Sequence, residues 1–208
     1  MINIYEEILK WKKIWIISDT HFNHQFLIDK GIRPANYQEL IIERWKELID
    51  KNDIVFHLWD VIFKNNSTLK EILEHLPGYK ILITWNHDKN NLKWYISKWF
   101  NEAYEDYIIP GPSPILLTHK PHLAEWFKYN ICWHQHMYIW LQHRWEDTGN
   151  ITQKTRIYSA EIEKYYPILL EDICSDRHIS HQYFKTIGFR KIYFRYILHR
   201  LKSFLRLK

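Results

Sequence analysis

Five short apolar runs, each halted by residues that can ligate a metal, constrain this chain more than any other feature. IWIIS (14–18) stops at Asp19-Thr20-His21, and IVFHL (54–58) at Trp59-Asp60. KILIT (80–84) leads to Trp85-Asn86-His87-Asp88, ILLTH (115–119) closes on His119, and the run 129–133 leads to His134-Gln135-His136. Runs of this length bounded by polar residues are strand-like. Helical patterns lie between the first three. In 38–51, Leu40, Ile41, Trp45, Leu48 and Ile49 fall on one face. The segment 67–76 opens on Ser67 and Thr68, carries Glu71, and stops before Pro77-Gly78, which predicts a capped helix and a turn. Alternating strands and helices predict an α/β fold with parallel pairing. The second half has further short runs at 137–141 and 155–159, which predict antiparallel additions. Sites in open α/β sheets form outside the carboxyl ends of the strands, so five ligand-bearing segments should converge in one crevice.

The residue types select a chemistry. Carboxylate, imidazole and amide oxygen suit divalent Mn, Fe, Zn or Ni. In extended chain, residues i and i+2 share a face, so Asp19 pairs with His21, and His134 with His136. Asp60, alone at its strand end, is placed to bridge two metals. Two metals about 3.5–4 Å apart clamp a phosphoryl group, and an unligated histidine can protonate the leaving oxygen. Taken singly, Asn86-His87-Asp88 also fits an Asx turn, and the other histidines fit ordinary strand or loop positions. Five such segments in order carry the weight that none has alone.

The set resembles the calcineurin-like metallophosphoesterase superfamily, whose pattern runs D-x-H, G-D, G-N-H-D/E, H and G-H-x-H. The opening ISDTHFNH (17–24) is similar to a small bacterial and phage branch of phosphoesterases. The resemblance covers roughly 12–175 and implies a four-layer αββα sandwich with a dinuclear site at one edge. It implies that Asp19, His21, Asp60 and His136 hold one metal, and that Asp60, Asn86, His119 and His134 hold the other. Asp60 and a water or hydroxide nucleophile would bridge them. His87 would be the phosphate-contacting general acid, oriented by Asp88.

Where the pattern has glycine, this chain has tryptophan three times, at Trp59, Trp85 and Trp133. Composition repeats the anomaly: 5 glycines and 11 tryptophans in 208 residues, against a usual glycine share of about 7%. Glycine belongs where backbone approaches a ligand closely or turns left-handed. UGA is one base from the glycine codon GGA and one from the tryptophan codon UGG. A gene using UGA for glycine, translated with UGA as tryptophan, exchanges one residue for the other wholesale. This reading predicts strain or crowding beside the ligands. It adds Trp99, Trp126, Trp140 and Trp145, at expected turns, as further glycine positions. Trp15, in a strand, and Trp45, on an apolar helix face, are expected to be genuine.

Residues 177–208 hold nine Lys/Arg and no Asp/Glu, which leaves 1–176 at net −4 within an overall +5. The expected organisation is a metallophosphoesterase domain (1–176) and a basic amphipathic tail (177–208). In the tail, Tyr193, Ile197, Leu201 and Phe204 recur at helical spacing. Such a tail suits nucleic acid, an anionic surface, or docking on its own domain. No apolar run reaches membrane-spanning length. Two cysteines, Cys132 and Cys174, are too few for a disulfide framework, and the N-terminus lacks a signal peptide's apolar core. A cytoplasmic protein is expected. The expected function is phosphomonoester or phosphodiester hydrolysis by a hydroxide activated between two divalent metals. The alternatives are a nuclease or RNA-processing phosphodiesterase of the same superfamily, and a catalytically dead binding paralogue.

Overall fold

Three consecutive strands, β1 (Ile14–Ser18), β2 (Ile54–Leu58) and β3 (Tyr79–Ile83), lie parallel and in unbroken register, with Ile16 opposite Phe56 and Phe56 opposite Ile81. All three are buried almost throughout, as expected of a parallel strand covered on both faces. Helices α1 (Gln25–Asp29), α2 (Tyr37–Leu48) and α3 (Leu69–Glu74) fall in the connections between them. Then follow α4 (Leu92–Ile96), β4 (Glu102–Tyr104), β5 (Tyr107–Ile109), β6 (Ile115–Thr118), β7 (Tyr129–Cys132), β8 (Thr155–Ile157), β9 (Ile168–Leu169) and α5 (Leu170–Cys174). The computed structural model describes residues 6, 12–63, 68–84, 92–118, 126–132, 154–160, 162–175, 177–179 and 182.

The strands form two mixed sheets. One has the order β4-β3-β2-β1-β9, parallel except for the antiparallel β1–β9 edge. The other has the order β5-β6-β7-β8, with β5–β6 antiparallel and the rest parallel. Among the described residues the antiparallel pairs are β5–β6 and β1–β9, while β8, within the 155–159 run predicted as an antiparallel addition, lies parallel to β7; the run 137–141 lies outside the described residues. The edge strands β4, β5 and β9 carry too few residues to show a period in the sequence.

Alternation along the strands sets up two cores. Ile14, Ile16, Phe56, Leu58, Ile81 and Ile83 face the second sheet and pack with Ile109, Ile115, Leu117, Ile131 and Ile157. Trp15, Ile17, Val55 and Leu82 face the helices and meet Tyr37, Ile41, Trp45, Leu69 and Leu73. The predicted face of α2 is the one that docks, with Ile41 and Trp45 fully covered. Both tryptophans expected to be genuine are buried and donate from the indole: Trp15 Nε1 to Asp53 Oδ2 at 2.9 Å, and Trp45 Nε1 to the Pro77 carbonyl at 2.9 Å. The predicted cap of α3 is not made. Thr68 is the N-cap without a side-chain cap bond, because its hydroxyl accepts from Asn23 Nδ2 at 2.6 Å. No helix among the described residues is long and apolar enough to cross a membrane.

Candidate metal centre

The site is built where β1 and β2 run out but their pairing does not. Beyond the last strand pair, His21 N donates to Asp60 O and Phe22 N to Val61 O, both at 2.9 Å, and Phe63 N to Phe22 O at 2.8 Å. The two strand-end loops thus remain zipped together. Asp19, His21 and Asp60 are carried in by that zipper.

Their donor atoms gather within 4.8 Å of one another. His21 Nε2 stands 3.7 Å from Asp19 Oδ1 and 3.7 Å from Asp60 Oδ2. Both separations are too long for a direct hydrogen bond. Ligand atoms that share a divalent cation at about 2.0–2.2 Å each stand roughly 3–4.4 Å apart, and both His21–carboxylate separations fall in that range. The donor chemistry, two carboxylate oxygens and an imidazole nitrogen, is also that of a divalent first-row site.

The loop carrying Asp19 and His21 is gripped from behind. Arg33 is 2% exposed, and its guanidinium donates to the Asp19 carbonyl at 2.8 Å and the Thr20 carbonyl at 3.0 Å. Its plane lies over Tyr37 and Tyr165, at 5.1 and 5.7 Å from their ring centroids. The Tyr37 hydroxyl donates to the His21 carbonyl. Thr20 Oγ1 donates to the Val61 carbonyl at 2.9 Å, which spends its only proton. His57 Nε2, also 2.9 Å away, must therefore be the donor to Thr20. His57 is wholly buried, and desolvation pushes its pKa down to about 3, so it is a neutral support whose Nε2 is engaged by Thr20. On the other side, the His24 ring stacks on Phe63 with centroids 3.7 Å apart and meets the His21 ring edge-on at 5.3 Å. Nothing in the sequence marked Arg33, Thr20 or His57 for these roles. Arg33 is 14 residues from Asp19, and His57 reads as part of an apolar strand.

Of the residues expected at the site, Asp19, His21 and Asp60 are brought together. Asn86, His87, Asp88, His119, His134 and His136 lie outside the described residues, as do Trp85, Trp133, Trp140, Trp145 and the amphipathic stripe of the tail. Trp59 is described. Its φ is +48°, in the left-handed region that a bulky residue avoids. The expected strain is therefore present, but crowding at the rim is not. The indole turns inward and is fully covered in the core between the sheets. Trp99 also has a left-handed φ, +77°. Trp126 does not, and it stands 86% exposed, so its backbone makes no demand for glycine.

No family model matches the chain. It is 35% identical over 111 residues to an uncharacterized protein of Methanocaldococcus jannaschii. The match covers 50% of this chain and 62% of that one, so the chain spans less than two thirds of its relative's length. Among solved structures, it is similar to a protein of unknown function from Aquifex aeolicus, with a TM-score of 0.65 and 25% identity. That match covers 79% of this chain and 98% of the other. The α/β architecture with two mixed sheets is thus shared with a solved structure.

Proposed function

We propose that the protein is a metal-dependent phosphoesterase built as a four-layer αββα sandwich. The observation that carries the reading is the gathering of Asp19, His21 and Asp60 at the carboxyl ends of two adjacent parallel strands, with His21 Nε2 3.7 Å from each carboxylate. Asn86, His119, His134 and His136 would complete a pair of sites, with Asp60 shared. Bound divalent ions would neutralise phosphate oxygens and lower the pKa of water into the neutral range. The chain's own part is to hold ligands and move a proton. Arg33 and Tyr37 fix the Asp19–His21 backbone, the two loops set Asp60 against it, and His87 would hand a proton to the leaving oxygen with Asp88 orienting its ring.

The test is hydrolysis of p-nitrophenyl phosphate and bis-p-nitrophenyl phosphate with Mn²⁺, by a protein with glycine at 59, 85 and 133. Turnover of either, lost in Asp60→Asn, is expected. Failure on both, in a folded protein that binds the metal, counts against the reading. The nuclease reading rests on one feature, the nine Lys/Arg without an acidic residue in 177–208, since such contacts give salt-dependent affinity for phosphate backbones. Equal RNA binding with and without 177–208 removes that support.

A further inference from the structure

We infer that the polypeptide made in the organism carries glycine at positions 59 and 99, its gene reading UGA as glycine. Trp99 makes the case without help from any ligand motif. It follows α4, and its neighbour Phe100 donates its backbone N–H to the Tyr95 carbonyl at 3.4 Å. Counted back from Trp99 as the first residue past the cap, this is the six-to-one bond of a Schellman motif. The Tyr95 and Phe100 rings meet edge-on at 6.4 Å, the apolar contact that accompanies it. The residue in Trp99's place is normally glycine, because it must be left-handed, and here φ is +77°.

The same chain ends α1 in the same way with a real glycine. Ile32 N donates to Leu27 O at 2.9 Å, Gly31 N donates to Ile28 O at 2.9 Å, and Gly31 has φ +65°. Both helices thus close with a six-to-one bond around a left-handed residue, glycine at 31 and tryptophan at 99. Trp99 is 49% exposed, so little packing rewards an indole there.

Position 59 reaches the same point from the strand end. Its backbone is fixed on both sides: its N–H donates to Ile83 O at 2.9 Å, and its carbonyl accepts from Asp19 N at 3.4 Å. With both bonds made, φ is +48°, the left-handed region that suits glycine. Trp15 and Trp45, by contrast, are buried and hydrogen-bonded at the indole, and neither has a left-handed φ. Among the described tryptophans, Trp59 and Trp99 are left-handed, and Trp15, Trp45, Trp94 and Trp126 are not. A single codon read two ways produces this division, and it also produces the scarcity of glycine beside the excess of tryptophan.

The test reads the gene and the protein from its own cells. Expected are UGA at codons 59 and 99, UGG at 15 and 45, and glycine at 59 and 99 in peptides of the native protein by mass spectrometry. UGG at 59 or 99, or tryptophan at either in the native peptides, overturns the inference. A second arm uses the chain as written. Trp99→Gly should raise Tm by roughly 2–8 °C through relief of the left-handed conformation. Trp99→Ala, which keeps a Cβ, should gain little. Alanine matching glycine shows that the position makes no demand for glycine and sinks the argument.

Discussion

His57 should make this fold acid-sensitive, and by a calculable amount. In the folded chain its pKa is about 3, because burial denies the imidazolium its water. In the unfolded chain it returns to about 6.5. Between those values the unfolded state binds a proton that the folded state does not, so stability rises with pH. This contribution is complete above pH 6.5 and is lost as pH falls toward 3. The loss is about 1.4 kcal/mol per pH unit, or roughly 2.7 kcal/mol from pH 6.5 to 4.5. Asparagine at 57 can still donate to Thr20 but cannot titrate. Urea unfolding of the parent and of His57→Asn at pH 7.5, 6.0 and 4.5 gives two slopes of stability against pH. The variant should start less stable, from the smaller side chain, and then lose less on acidification. Other carboxylates and histidines contribute equally to both proteins and cancel in the difference. Parallel slopes would refute the reasoning, since they would mean that His57 takes up its proton while folded.

Other expectations follow from the site and its supports. Asp60→Asn should weaken Mn²⁺ binding at least about tenfold by calorimetry while leaving the circular dichroism unchanged, because the substitution removes a ligand charge and not a core contact. Arg33→Met should also weaken Mn²⁺ binding, by about 10–100-fold, because Asp19 and Thr20 lose the two bonds that hold their carbonyls. Arg33→Lys should recover only part of that, since one ammonium cannot reproduce the fork. In the chain as written, Trp59→Gly and Trp99→Gly should have opposite signs. Glycine at 59 relieves about 1–2 kcal/mol of left-handed cost but forfeits about 3–5 kcal/mol of buried indole. Trp59→Gly should therefore lower Tm where Trp99→Gly raises it, and Trp59→Ala should lower it further still. Alanine proving milder than glycine at 59 would show that the backbone there is not constrained.

How much of this was legible beforehand depends on where the information sits. The strands β1, β2 and β3 are unbroken apolar runs because both faces are covered, and helix α2 shows its buried stripe at Ile41 and Trp45. Local pattern suffices for such elements. The strands β4, β5 and β9 have two or three residues each and exist through their partners, Ile81, Leu116 and Ile16 among them. No local period could announce them. Asp19, His21 and Asp60 were legible because a short spacing and a strand end place them. Arg33 was not, because its role depends on reaching back across a turn to two carbonyls.

The tryptophans show what a structure adds when the letters of a sequence mislead. Side-chain readings of Trp59 and Trp99 point to aromatic surfaces or a deep core, and one of them does end up buried. Backbone hydrogen bonds are indifferent to that. The bonds through Ile83, residue 59 and Asp19 join left-handed residues at 59 and 19, and the helix end through Tyr95 and Phe100 turns on a left-handed residue at 99. A left-handed φ marks Trp99, which no motif includes, and not Trp126, which the sequence grouped with it. Asp19, His21, Asn23, Asp60, Lys164 and Tyr165 are left-handed too, so it is the six-to-one helix-end bond and the exposed indole that make 99 a glycine position. A misread codon at 59 would bear on the proposed site, since that residue immediately precedes Asp60. An inactive recombinant protein with tryptophan at 59, 85 and 133 therefore says nothing about the proposed activity until glycine is restored there.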